Sequence, residues 1–122
     1  MSIFALIMAV IVAVEHLFIL WLEMFNSNSE MASRAFAVPR KLLQVTEVQT
    51  LFKNQGLYNG FLAVGIIFAC FLSDPIRKVM VLYLVGCVVI AAIYGAMTAS
   101  KRIILIQGLP AVIAFCLVAV AW

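Results

Sequence analysis

Four apolar stretches take up most of this 122-residue chain: about Ser2 to Phe25, Asn54 to Leu72, Val79 to Thr98 and Ile103 to Trp122. Each is close to the roughly 20 residues an α-helix needs to cross about 30 Å of hydrocarbon. A backbone in lipid must satisfy its own hydrogen bonds, and none of the runs shows the period-two alternation of a barrel strand. The expected fold is therefore all-α: a four-transmembrane-helix bundle, one integral membrane domain over residues 1–122. With 67% hydrophobic and 11% charged residues, so short a chain cannot hide its apolar surface inside a soluble core. Membrane lipid is the expected partner and the plasma membrane the expected location.

The net charge of +3 sits between the apolar runs. It reads as a topology signal, and no nucleic acid is expected as a partner, because no basic block carries interleaved aromatics. Cys70, Cys87 and Cys116 lie inside apolar runs without a Cys-x-x-Cys spacing, the pattern of buried free thiols. The opening "MSIFALIM" lacks a positive start, and no small-x-small site follows before Glu15, so the first run reads as a span and not a cleaved signal.

The connections differ in kind. "SDPIRK" and "ASKR" are tight turns that make the helices they join antiparallel neighbours. The link from Asn26 to Lys53 is long. Within it Ser27 stands three residues before Glu30, a capping-box spacing, and Pro39 breaks the chain. From Arg40, apolar residues recur at Leu42, Val45, Val48 and Phe52, which predicts a short interfacial helix leading into the second span. The first and third connections hold Arg34, Arg40, Lys41, Lys53, Lys101 and Arg102. The second holds only Arg77 and Lys78, and the N-terminal end holds none. Positive-inside puts the first and third connections in the cytoplasm and both termini outside.

Polar residues then fall on one level. Glu23 is near the inner end of the first run, with Glu15 and His16 near mid-bilayer. Asn54, Gln55, Tyr58 and Asn59 open the second run, Tyr94 and Thr98 close the third, and Gln107 lies one turn into the fourth. The outer half holds almost nothing polar. At about 100° per residue these side chains share arcs that should converge inward, since lipid-exposed polar groups are costly. Gly56 and Gly60 form a GxxxG pair, and Ala91, Gly95 and Ala99 form a second small-residue row. Pro110 lacks an N–H and frees the Ile106 carbonyl near Gln107. A carboxylate at mid-bilayer costs about 2.5 kcal/mol or more if charged, so Glu15 is expected either to donate as a neutral acid or to pair with a cationic ligand. Interhelical hydrogen bonding alone is the plainer role for Thr98 and Gln107. With one histidine, no Glu-x-x-His pair and no cysteine cluster, neither a metal nor another cofactor is expected. Trp21, Phe25 and Trp122 read as interface anchors.

The segments "VEHLFILWLEMF", "NQGLYNGFLA", "YGAMTAS" and "QGLPA" resemble a family of small bacterial integral membrane proteins known as a domain of unknown function, number thirteen-oh-four. The resemblance covers nearly the whole chain, one signature per helix. It implies four membrane helices and no established activity. Its signature positions here include Glu15, Glu23, Asn54, Gln55, Tyr58, Asn59, Tyr94, Thr98, Gln107 and Pro110, the residues selected by depth. Together these readings predict an inward-opening polar pocket that binds or transports a small amphipathic or cationic molecule, alone or as a homodimer. An intramembrane enzyme acting on a lipid or isoprenoid-like substrate, with His16 and Glu15 or Glu23 as acid and base, and a structural or regulatory subunit are the alternatives.

Overall fold

The computed structural model describes residues 1–99, 101–102 and 104–120. Among them every element is helical: α1 (Ile3–Phe25), α2 (Glu30–Phe36), α3 (Arg40–Leu43), α4 (Thr46–Cys70), α5 (Ile76–Thr98) and α6 (Leu109–Val120), with a π-helical segment Ile104–Gly108 leading into α6. Two helices, α1 and α5, are long and apolar enough to cross a membrane, and Leu105–Val120 is a shorter apolar stretch. α1 packs along α4 and α6, and α5 packs on α4 and α6, so the four close into a ring.

Local chemistry sets the ends. The Ser2 hydroxyl accepts from the Ala5 N–H and starts α1. α2 is capped by Ser29, whose hydroxyl accepts from the Ala32 N–H, not by Ser27, which the sequence spacing favoured. Helix α2 begins at Glu30, so only Ser29 stands at the position whose side chain reaches the free amides. Ala37 then ends α2 in the left-handed region at φ 55, and the Ser33 hydroxyl closes the turn onto the Val38 carbonyl at 2.6 Å.

The expected single interfacial helix is also divided. Arg40–Leu43 forms one turn, Val45 is extended, and Val48 and Phe52 already belong to α4, which starts eight residues before Asn54. The Gln49 amide bonds the Leu43 carbonyl and fixes this corner. Below it Leu22, Ala32 and Leu43 are buried together, with Phe36, Val38, Val48 and Phe52 packed on them. This small core ties the first connection to the C-terminal end of α1 and the N-terminal end of α4. At the opposite end the Met1 ammonium bonds the Asp74 carboxylate in the α4–α5 turn. That ammonium, with Arg77 and Lys78 nearby, holds the exposed Asp74 carboxyl below its ordinary range.

The main core lies in the other half of the ring. Ala5, Ala9, Val12 and Ala13 of α1 meet Ile66 and Ala69 of α4, Val81, Val85 and Val88 of α5, and Ala111, Ala114 and Val118 of α6. Along α5 the face that carries the three valines continues, at about 100° per residue, through Ala92, Gly95 and Ala96. Its side chains therefore shrink halfway along. On α1 the trend is opposite, from Ala5, Ala9 and Ala13 to His16 and Glu23. Small residues face large ones at each level, which lets α1 place two bulky polar side chains inside the ring. Of the row read from sequence, Ala91 and Ala99 are exposed, so it does not form a buried helix contact. Trp21 and Phe25 are exposed near the C-terminal end of α1, while Trp122 lies outside the described residues.

Candidate functional site

Two interhelical hydrogen bonds define the buried polar layer, and both start on α1. Glu23 is 0% exposed, and its Oε1 accepts from the Asn59 side-chain amide of α4 at 2.5 Å. The helices come this close because of glycine. A Cβ on Gly56 would stand 2.6 Å from Met24 Cγ, 3.1 Å from Glu23 Cβ and 3.2 Å from the Leu20 carbonyl oxygen; one on Gly60 would stand 2.4 Å from Leu20 Cδ1. The GxxxG pair is thus the α1–α4 seam, and Asn59 sits beside it in reach of Glu23.

His16, also 0% exposed, makes the second contact. Its Nδ1 lies 2.8 Å from the Val12 carbonyl, one turn back on α1. A carbonyl only accepts, so Nδ1 carries the proton and donates. The other nitrogen, Nε2, lies 3.0 Å from the Gln107 side-chain amide. Gln107 belongs to the π-helical segment, three residues before Pro110. Proline cannot donate to the carbonyl four residues back, and a wider turn is one way a helix accommodates that loss. Both nitrogens of His16 are engaged.

Two carboxylate oxygens stand apart. Glu23 Oε2 and Glu15 Oε1 are buried and have no hydrogen-bond partner among the described residues. Glu15 as a whole is half-buried.

The remaining sequence-selected residues are placed differently. Asn54 and Gln55 are exposed, as are Tyr58 (66%) and Tyr94 (68%). The Asn54 amide donates to the Thr50 carbonyl at 3.0 Å, and the exposed Thr98 hydroxyl to the Tyr94 carbonyl at 2.8 Å, each within its own helix. Tyr58 stacks edge-on against Phe61 at 5.9 Å. The structure brings together Glu23 with Asn59 and His16 with Gln107; it does not gather all ten into one chamber. Two grooves lie on the ring's outer surface instead. One of about 590 Å³ is lined by Leu20, Leu57, Gly60, Phe61, Val64 and neighbours, and one of about 400 Å³ by Val79, Tyr83, Cys87, Ile90, Phe115 and neighbours. Neither includes any of the ten residues.

Sequence reading did not single out Ala92 and Ala96. The signal was present: the face of α5 that supplies valines to the core turns to alanine and glycine opposite the polar end of α1.

An all-helical chain with strongly apolar helices and a buried acid–histidine layer is the class of protein described so far. The chain belongs to the family described as "Protein of unknown function (DUF1304)", whose model matches residues 10–119. It is also 40% identical, over 93% of its own length and 95% of the relative's, to "Uncharacterized protein YpaA" of Lactococcus lactis subsp. lactis (strain IL1403). No solved structure matches.

Proposed function

We propose that this chain is a single integral membrane domain of four spans, both termini outside, whose buried layer on α1 binds a small amphipathic or cationic molecule and, in a transport cycle, passes it on. The apolarity of α1 and α5 supports the membrane assignment. Helix α4, at 25 residues, reaches about 37 Å, more than the roughly 30 Å of a hydrocarbon slab. The helical stretch from the π-helical segment through α6 is the fourth span. The excess of lysine and arginine on the α1–α4 and α5–α6 connections supports the orientation.

The observation that carries the binding reading is Glu23: wholly buried, with Asn59 donating to one oxygen and no partner among the described residues on the other. A core acceptor with so little company is costly unless the site serves something that donates or carries positive charge. Glu15 repeats the pattern less than three helical turns away, and the two are the only ionisable acids of α1. The acid–base enzyme reading has less support, because His16 has no nitrogen left for a substrate.

The test is thermal stability of the purified protein in detergent, with and without tetraethylammonium and longer-chain alkylammonium chlorides. The expected result is a rise in Tm that Glu23→Gln reduces at least several-fold. Equal rises in both proteins would overturn the assignment of the site.

A further inference from the structure

Resting on that reading, we infer that Glu23 holds a proton on Oε2 in the ligand-free protein and that a bound cation takes the proton's place. The site is then an exchanger: one positive charge enters as another leaves.

The argument begins with what surrounds the carboxyl. Oε1 has one donor, Asn59, and Oε2 has no partner among the described residues. The α5 residues at this level of the core-facing strip, Ala92, Gly95 and Ala96, bring no side-chain donor. His16 is the one other ionisable side chain on the same face of α1, and both its ring nitrogens are engaged, by the Val12 carbonyl and by Gln107. Glu15, on the adjacent face, is an acid with its own unpartnered oxygen. On the packed elements Lys53 of α4, Tyr94 of α5, Arg34, Arg40 and Lys41 of the first connection, and Lys101 and Arg102 of the α5–α6 connection are all exposed. Glu23 Oε2 thus has no hydrogen-bond partner among the described residues.

An ionised carboxylate in such a place would be a buried, unpaired charge, which proteins avoid by pairing or neutralising the group. Neutralisation needs one proton on Oε2. Binding then runs as a balanced step. The Oε2–H bond breaks, its electron pair stays on oxygen, and the proton leaves to water. The carboxylate so formed pairs with the cation. The burial of Glu23 makes the exchange obligatory, since the state with neither proton nor cation carries the full cost.

Infrared difference spectroscopy on protein labelled with ¹³C-glutamate tests this. The ligand-free protein at neutral pH is expected to show the carbonyl stretch of a neutral carboxyl, shifted by the label. Tetraethylammonium chloride should reduce that band and acidify a weakly buffered sample in proportion to the cation bound. Glu30 and Glu47 are exposed, leaving Glu15 as the competing source; the band should survive Glu15→Gln and vanish in Glu23→Gln. Absence of the band, or a cation that raises Tm and leaves the band unchanged, overturns the exchange while the binding reading stands. A band with no cation-induced stabilisation overturns both.

Discussion

The Asn59 amide is the only described donor to the Glu23 side chain, so the pair answers differently to single and double replacement. Asn59→Ala leaves a buried carboxyl with no donor and is expected to lower stability by about 1–3 kcal/mol. Replacing both, with Glu23→Leu and Asn59→Leu, removes the need along with the donor and should cost much less than the sum of the single changes. Reversible unfolding in mixed micelles measures the cycle; additive costs would show that the two side chains do not act on one another. Some of this was legible in the sequence. Glu15, His16 and Glu23 stand out in a run that is otherwise apolar, and their importance follows from the solvent alone. Which partner each would find was not legible. Asn54, Gln55, Tyr58 and Asn59 are equally polar, and only the azimuth set by the two glycines turns Asn59 inward and leaves Tyr58 outside.

Among the elements, α1 and α4 form the tightest seam. Gly56→Ala would push a methyl against Met24, Glu23 and the Leu20 backbone carbonyl, whereas Gly60→Ala meets only the flexible end of Leu20. Both should destabilise, Gly56→Ala by about 1–3 kcal/mol and Gly60→Ala by less, because a backbone atom cannot swing aside as a leucine methyl does. Thermal melts of the two variants check the order. Helix existence was readable from the apolar runs, whose length suits helices and which show no period-two alternation. Helix boundaries were not. The division at Gln44 and Val45 and the early start of α4 depend on Leu43, Val48 and Phe52 packing against Leu22, a contact between distant segments that no local pattern encodes. The long α4 also answers why amides open an apolar run. In the proposed four-span arrangement, about 20 residues counted back from Cys70 would reach the hydrocarbon edge near Leu51 and leave Asn54 and Gln55 close to the headgroups, where polar side chains are tolerated.

For the whole molecule, the two ends of the ring divide labour: a dry core at one end, and the acid–histidine layer under the folded first connection at the other. The proposed orientation makes this division a sidedness. In a background lacking Cys70, Cys87 and Cys116, Ser73→Cys should react with a membrane-impermeant maleimide added to intact cells. Asn28→Cys should react only after permeabilisation. The reverse pattern would invert the molecule. The ring itself was foreseeable from four runs and two short turns. The convergence of the polar arcs was not legible, because a sequence gives the arc on each helix and not the azimuth at which that helix docks. Five of the ten polar residues lie at the right level and face outward.

The wide turn at Ile104–Gly108 contains one residue more than an α-helical path of the same rise requires. Removing a single residue there would relax it into the ordinary winding and swing Gln107 by about 100°, away from His16. Relatives with a one-residue gap before the Gly-Leu-Pro triplet should accordingly have lost the glutamine, the histidine, or both. Aligned homologues would then carry a record of this contact as paired deletion and substitution.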